Sequence, residues 1–442
     1  MKVIEAEKMI SLNNSSNDSK TSLIDSSRAW IIISCAWAFY LYEYILRVSP
    51  SVMTNDLMLD FGVTTTALGV LVSFYYLSYV TLQIPCGVIV DRFGARKVIT
   101  LSAALCVLGC VLFANSHSLF AAQMGRFLMG AGSACAYLSC AKIGAEWFSA
   151  SKFAMITGAT MFMGTFGGIF GASPFAYLVN GMGWRNSTLV AALVGVVVVI
   201  ASWFIIRDHP EDRKDENKPV EGQNLLDGLK IISRNPQNWI IGLYGCMMYL
   251  PLSAFAELWG VPFLMQKYGI NNEVASTASI MVFMGMGIGS IASAYVSDYI
   301  QSRVKVMGYS ALVTLISFLV VFYLPNIPFK VMLVILFVGG FASGGQILYF
   351  AAAKENNPHH ISGTVVGFTN FFVMVSGLVF QPLLGFLLDF MWDGQLNLDG
   401  SPLYTTSTYE KTFAAVCFAL LVSWICSNFI RETYPQDPEK KA

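Results

Sequence analysis

Twelve apolar segments, each long enough to cross a lipid bilayer, constrain this chain more than any other feature. A spanning helix needs about 20 predominantly apolar residues. By that rule the segments are 29–50, 64–90, 98–115, 119–142, 153–178, 184–206, 237–264, 275–297, 305–325, 329–353, 362–390 and 411–431. Lipid offers a bare peptide group no hydrogen-bond partner, so each segment must satisfy its own backbone as a helix. Composition agrees. Of 442 residues, 55% are hydrophobic and 12% charged, about half the ~25% charged content of a soluble domain. The expected fold is an all-α membrane protein with twelve transmembrane helices.

Most connections are short. The exception is 207–236, which is polar, holds Pro210 and Pro219, and carries the charged run from Glu211 to Glu216. It divides the spans six and six. The expected organisation is a disordered tail (1–28), a six-helix bundle (29–206), a linker (207–236), a second six-helix bundle (237–431) and a short tail (432–442). The first 27 residues are rich in Ser and Asn and lack the apolar stretch of a secretory signal. With the N-terminus inside, 21 of the 27 Lys and Arg residues fall on the inner side. That bias places both termini in the cytoplasm, and in a bacterial source it implies the inner membrane.

The two halves repeat. A shift of 207 carries Asp91 onto Asp298 and Arg96 onto Arg303; a shift of 209 carries Glu146 onto Glu355, Gly158 onto Gly367 and Gly168 onto Gly377. Two pseudo-symmetric six-helix bundles follow. Parallel repeats of this kind form transporters whose substrate site lies between the halves.

Residues Gly87 to Lys97 read as a tight, charge-dense loop between the second and third spans, with Gly87 and Gly94 permitting sharp reversal. Asp91 can accept hydrogen bonds from a helix N-terminus or pair with guanidinium groups. Arg92, Arg96 and Lys97 hold the loop inside. Such a cluster can latch one state of a two-state machine, or can serve only as a topology signal. Its second copy, from Ala294 to Arg303, has lost the glycine.

The pattern Gly87-x-x-x-Asp91-Arg92-x-Gly94-x-Arg96-Lys97 resembles the best-known signature of the major facilitator superfamily. Arg126 to Gly130 resembles its fourth-span motif. Gly164, Gly167, Gly168, Gly171 and Pro174 resemble its fifth-span glycine–proline pattern. The resemblance implies two bundles that rock about a central cavity. The segments Ala145–Phe148, Lys354–Pro358 and Gln381–Asp389 resemble the branch of organic-anion and sugar-phosphate permeases. They also resemble the phagosomal nutrient transporters of intracellular bacteria.

Charges within the spans are costly and usually face a bundle interior. Glu43 and Arg47 share a helix face with Tyr40 and Tyr44; they line a cavity, or they form a self-satisfied pair near the outer end. For Arg126 the resemblance implies proton coupling or substrate binding; the alternative is a structural ion pair. Glu257 follows Pro251 in the seventh span, where a proline frees backbone carbonyls. It is a candidate proton carrier or substrate ligand, or else an interfacial acid near the outer surface. Tyr137, Gln346 and Asn370 complete the candidate lining, with helix–helix hydrogen bonding the other use for such groups. Glu146, Asp298, Arg303 and Glu355 join the loop as candidate gating residues.

The nine cysteines read as buried small hydrophobes without a bridge. The histidines 117, 209, 359 and 360 fall outside the spans. No nucleotide-binding loop or metal motif occurs, so neither a cofactor nor a nucleic-acid partner is expected. An enzyme would need a nucleophile–base or metal constellation within the spans. A sensor would usually add a soluble signalling domain, for which the central loop and short tails leave no room. The expected function is secondary active transport of a small polar organic solute by a monomer in the bilayer. That solute is an amino acid, a carboxylate or a related metabolite, with protons the driving ion. An uncoupled facilitator and an exporter of a carboxylate metabolite such as a siderophore are the alternatives.

Overall fold

The computed structural model describes residues 26–210, 225–358, 361–396 and 402–434. The expected disordered tail, apart from its last residues, and the charged run of the linker lie outside the described residues. So do His359 and His360.

The helices follow the apolar segments. They are α1 (Ser27–Val48), α2 (Thr65–Phe93), α3 (Ala95–Ala114), α4 (Leu119–Ser133 continued by Ala136–Trp147), α5 (Ala150–Gly171) and α6 (Ser173–Ile205). The second half holds α7 (Pro236–Tyr268), α8 (Asn272–Tyr299), α9 (Arg303–Tyr323), α10 (Phe329–Glu355), α11 (Ser362–Phe390) and α12 (Thr406–Ser427). A short helix at Leu225–Arg234 lies within the segment between the halves. Among the described residues the only β-pairing is the single bridge Leu396–Pro402.

Residues Met155–Ile205 form one apolar helical run of 51 residues. Straight, it would measure about 76 Å, more than twice the ~30 Å hydrocarbon core. It is not straight: the backbone leaves helical geometry at Ala172 (φ −91°, ψ −107°) and at Gly183 (φ +78°, ψ 160°). The run therefore crosses twice. The chain makes twelve passes, and Ser27 and Glu432 lie on the same face, here termed the terminal face. The opposite side is the far face.

Two expectations need correction. The charged segment 87–97 is not a loop. Charged residues are adequate helix formers, so α2 continues through Gly87 to Phe93 and α3 begins at Ala95. Gly94 alone makes the turn, at φ +81°, and a Cβ there would lie 2.6 Å from the Asp208 carboxylate. The charges thus occupy the last turn of one helix and the first of the next. Second, Cys86 of α2 and Cys135, at the break in α4, form a disulfide with Cα atoms 5.4 Å apart. Close packing of these helices brings together two thiols that are 49 residues apart in sequence. The other seven cysteines are free, and six of them are buried.

The halves meet through glycine. A Cβ on Gly168 of α5 would lie 2.7 Å from the Phe283 ring of α8. A Cβ on Gly377 of α11 would lie 2.4 Å from the Tyr76 ring of α2. The repeat aligned these two glycines, and each admits an aromatic ring from the opposite half. Helices α2 and α11 are antiparallel, close at the far face and apart at the terminal face. There a cleft of about 450 Å³ opens, lined in part by Gln83, Asp91, Lys142, Glu146, Gly228 and Thr364.

Candidate functional site

At the centre of the molecule, charged and phenolic side chains from both halves form one buried network. Glu43 and Arg47, one turn apart on α1, pair through both carboxylate oxygens at 3.1 and 3.0 Å. The Tyr75 hydroxyl of α2 donates to Glu43 at 2.7 Å. Arg47 also donates to the Tyr249 hydroxyl of α7 at 3.3 Å, which in turn donates to Glu257 at 3.3 Å. The second oxygen of Glu257 accepts from Tyr76 of α2. Two hydrogen bonds of this network cross between the halves: Arg47 to Tyr249, and Tyr76 to Glu257. Glu43 and Glu257 are 0% exposed, and Arg47 is 1% exposed.

Aromatic rings enclose this network. The Arg47 guanidinium sits 4.2 Å from the Tyr44 ring centre and 5.2 Å from that of Tyr79, within cation–π range. Tyr40 packs edge-on against Tyr44 and lies 6.1 Å from Tyr137 of α4. Arg47 lies in the last turn of α1, and the Glu43–Arg47 pair is not self-contained, because Arg47 also donates across the interface to Tyr249.

The local backbone explains where Glu257 lies. Residues Pro251–Trp259 form a π-helix, and every one of them is buried. The wider turn sets Glu257 towards the interface. π segments recur at functional sites. Gln381 of α11 braces this segment: its side-chain amide donates to the Ser253 carbonyl at 2.7 Å, and its own carbonyl accepts from Trp259 at 3.1 Å. Among the described residues no cation pairs with Glu257; its two partners are phenols. Glu257 is completely buried within the protein.

Arg126 differs from Arg47. It donates to the Leu46 carbonyl at 2.7 Å. Helix α1 offers that carbonyl no N–H, because the residue four places on is Pro50; the Ser49 hydroxyl also donates to it at 3.2 Å. The Tyr75 ring centre lies 4.8 Å from the guanidinium. Among the described residues no carboxylate pairs with it, so the alternative reading, a structural ion pair, finds no partner there. Its Nε and Nη2 are buried with no hydrogen-bond partner among the described residues.

The remaining candidates stand apart. Gln346 is buried in the 3₁₀ break of α10, its Oε1 without a hydrogen-bond partner among the described residues. Asn370 is half-buried on α11 and makes none of the network's bonds. Sequence reasoning missed Tyr75, Tyr76, Tyr79 and Tyr249. The available signal was the Tyr75-Tyr76-x-x-Tyr79 cluster in the second span.

On the terminal face, Asp91 pairs with Lys142 of α4 at 3.0 Å, rather than with a guanidinium or a helix N-terminus. Arg92 lies near the Phe93 ring and Lys97 is exposed. The Arg96 side chain donates to the Trp203 carbonyl at 2.9 Å, and its backbone N–H is capped by Asp208 at 2.8 Å. Glu146 meets His209 at 3.1 Å. In the second half the cluster is tighter: Arg303 pairs with both Asp298 (2.7 Å) and Glu355 (3.3 Å). Glu432 caps α9 there, accepting from the backbone N–H groups of Arg303 and Val304 at 2.9 and 3.2 Å and from the Ser302 hydroxyl. Each half thus caps its third helix with an acid from just beyond its sixth. Among the described residues no three His, Cys, Asp or Glu side chains gather as a metal site.

The chain is 24% identical to the Membrane sensor protein UhpC of Salmonella typhimurium over 386 residues, covering 82% of this chain and 86% of that one. It is 21% identical to the Probable galactarate/D-glucarate transporter GudP of Bacillus subtilis over 447 residues, covering 94% and 96%. Its fold matches the crystal structure of a bacterial homolog to the human lysosomal transporter Spinster, in an inward-facing and unoccupied conformation. That match has a TM-score of 0.74 at 14% identity and covers 91% of this chain and 98% of the other. Residues 32–391 match the Major Facilitator Superfamily as a whole. This twelve-pass integral membrane protein, a transporter rather than an enzyme, belongs to that superfamily.

Proposed function

We propose that the chain is a secondary active transporter that carries a small organic anion, of the carboxylate or sugar-acid class, by alternating access. The carrying observation is Arg126, a fully buried guanidinium with two nitrogens that have no hydrogen-bond partner among the described residues, beside a network that joins the halves. A buried cation without a partner is costly. A substrate carboxylate supplies the missing acceptors in bidentate form. Similarity to GudP, a probable galactarate/D-glucarate transporter, supports the same class.

Coupling to protons rests on Glu257. Its partners are neutral phenols in a sealed site, where an unpaired carboxylate is expensive and a bound proton removes that expense. Protonation also alters the Tyr76–Glu257 bond that ties the halves together, so a proton and the conformational change act on one contact. With the Lys and Arg bias, the terminal face is cytoplasmic and the membrane is a bacterial inner membrane. The chain works as a monomer.

The test is uptake into proteoliposomes of galactarate, glucarate and simple dicarboxylates, with and without an inward proton gradient. Gradient-dependent accumulation is expected, and Glu257→Gln should lose it while retaining exchange. Equal uptake by parent and variant under a gradient removes Glu257 as the coupling group. Gradient-independent equilibration in the parent favours an uncoupled facilitator. Similarity to UhpC favours a second reading, a membrane sensor. Ligand-induced thermal stabilisation without any transmembrane flux would select it.

A further inference from the structure

We infer that Asp389 is the latch that holds the two halves together at the far face, and that its release from the N-terminus of α2 is a required step in the cycle. This rests on the alternating-access reading above, but not on the identity of the solute.

The first turn of any helix presents N–H groups with no partner inside the helix. A residue just before the helix usually caps them. Helix α2 lacks that local solution: Thr64, at the cap position, makes no side-chain capping bond. The cap comes instead from the other half. One oxygen of Asp389, near the end of α11, accepts from the Thr65 N–H at 3.2 Å, the Thr65 hydroxyl at 2.6 Å and the Tyr404 hydroxyl at 2.6 Å. The other accepts from the Thr66 N–H at 2.7 Å and from the Thr66 hydroxyl. Four of these five bonds cross between the halves. The carboxylate also faces the positive end of the helix dipole.

The backbone beneath the latch is built for close approach. A Cβ on Gly385 would lie 2.3 Å from the Thr65 carbonyl, and one on Gly69 would lie 2.6 Å from the Gln381 carbonyl. At the α2–α11 contact the far-face seal is therefore two bare backbones locked by one charged group, while at the start of α8 Asn272 donates to the Val52 carbonyl at 2.6 Å and Glu273 accepts from Asn180 at 2.9 Å. Thr65, Gly69, Val72 and Tyr76 share one face of α2 by helical spacing. That face runs from the latch inward to the Tyr76–Glu257 bond. Separating the halves at the far face must take Asp389 from the α2 terminus and send both to water. Asp389 is half-buried rather than sealed, so water can replace the lost partners.

The test labels Val72→Cys, a position 0% exposed here, with a membrane-impermeant maleimide applied from the far face of the full-length protein in vesicles. The protein without the introduced cysteine supplies the background. Asp389→Ala should raise the labelling rate roughly tenfold, the loss expected for removing a charged acceptor. Asp389→Asn should fall between, because its amide oxygen still serves Thr65 while its NH₂ opposes the Thr66 donors. Thr66→Val removes one donor and leaves the fold intact; it should raise labelling severalfold, and it decides the matter if the alanine variant does not fold. Labelling unchanged in Thr66→Val and in a folded Asp389→Ala, with parental melting temperatures, overturns the latch. The readout needs no substrate, so failure to find a transported anion leaves this result standing, and the reverse also holds.

Discussion

Two arginines of similar burial differ in what they lack. Arg47 has its charge answered by Glu43 and its ring contacts by tyrosines. Arg126 has a carbonyl, a ring face and two idle nitrogens. Removing it deletes an uncompensated buried charge along with any ligand contact. Arg126→Met should therefore weaken anion binding by about tenfold to a hundredfold, the worth of a charge-assisted hydrogen bond, without lowering the melting temperature in detergent. A fall in melting temperature with unchanged affinity would make Arg126 a structural prop for the Leu46 carbonyl. The charged members of the site were legible in sequence because ionised groups in apolar segments are rare. Their phenolic partners were not. Tyrosine is common in membrane helices, and nothing in its spacing separates Tyr76, which bonds across the interface, from a tyrosine that fills space.

Elements show where local chemistry overrides pattern. Charge density made residues 87–97 look like a loop, yet one residue suffices for the turn. Gly94→Ala would force a side chain into the left-handed region and against Asp208. A cost of order 1–3 kcal/mol should appear as a lower melting temperature, whereas Gly87→Ala, with open space around it, should be tolerated. The Glu432 cap has a pH signature. Burial pushes its carboxyl up, but hydrogen bonds from Ser302 and from the Arg303, Tyr434 and Val304 backbones outweigh that and hold it below the ordinary 4.5. A depressed value in the folded state means the cap is fully stabilising above pH 4.5 and is lost as pH falls through the lowered value. The melting-temperature difference between parent and Glu432→Gln should be full at pH 7 and shrink below pH 4.5. A constant difference would show that the cap does not titrate with folding. This cap, the Asp389 contact and the disulfide were invisible beforehand for one reason: each joins chain segments far apart in sequence, and no local spacing encodes them.

At the scale of the whole molecule, the repeat was informative because symmetry relates distant positions. Gly168 and Gly377, aligned by a single shift, occupy equivalent seats against the opposite half. The conformation that the halves adopt was not encoded in that alignment. It follows from which of two ends of the α2–α11 pair is joined, and here the far end is. Both helices contain 29 residues, about 44 Å of helix against a hydrocarbon core of roughly 30 Å. They must tilt or protrude, and their ends carry Asp91 and Asp389. The host bilayer's thickness thus becomes a control on the protein: a thicker membrane draws the ends of this rod pair into hydrocarbon, a thinner one leaves them among headgroups and water. Turnover in vesicles of graded acyl-chain length should pass through an optimum, and a flat dependence would mean that the ends never leave the headgroup layer. Lipid, on this view, is a mechanical load on the gates as well as the solvent for the fold.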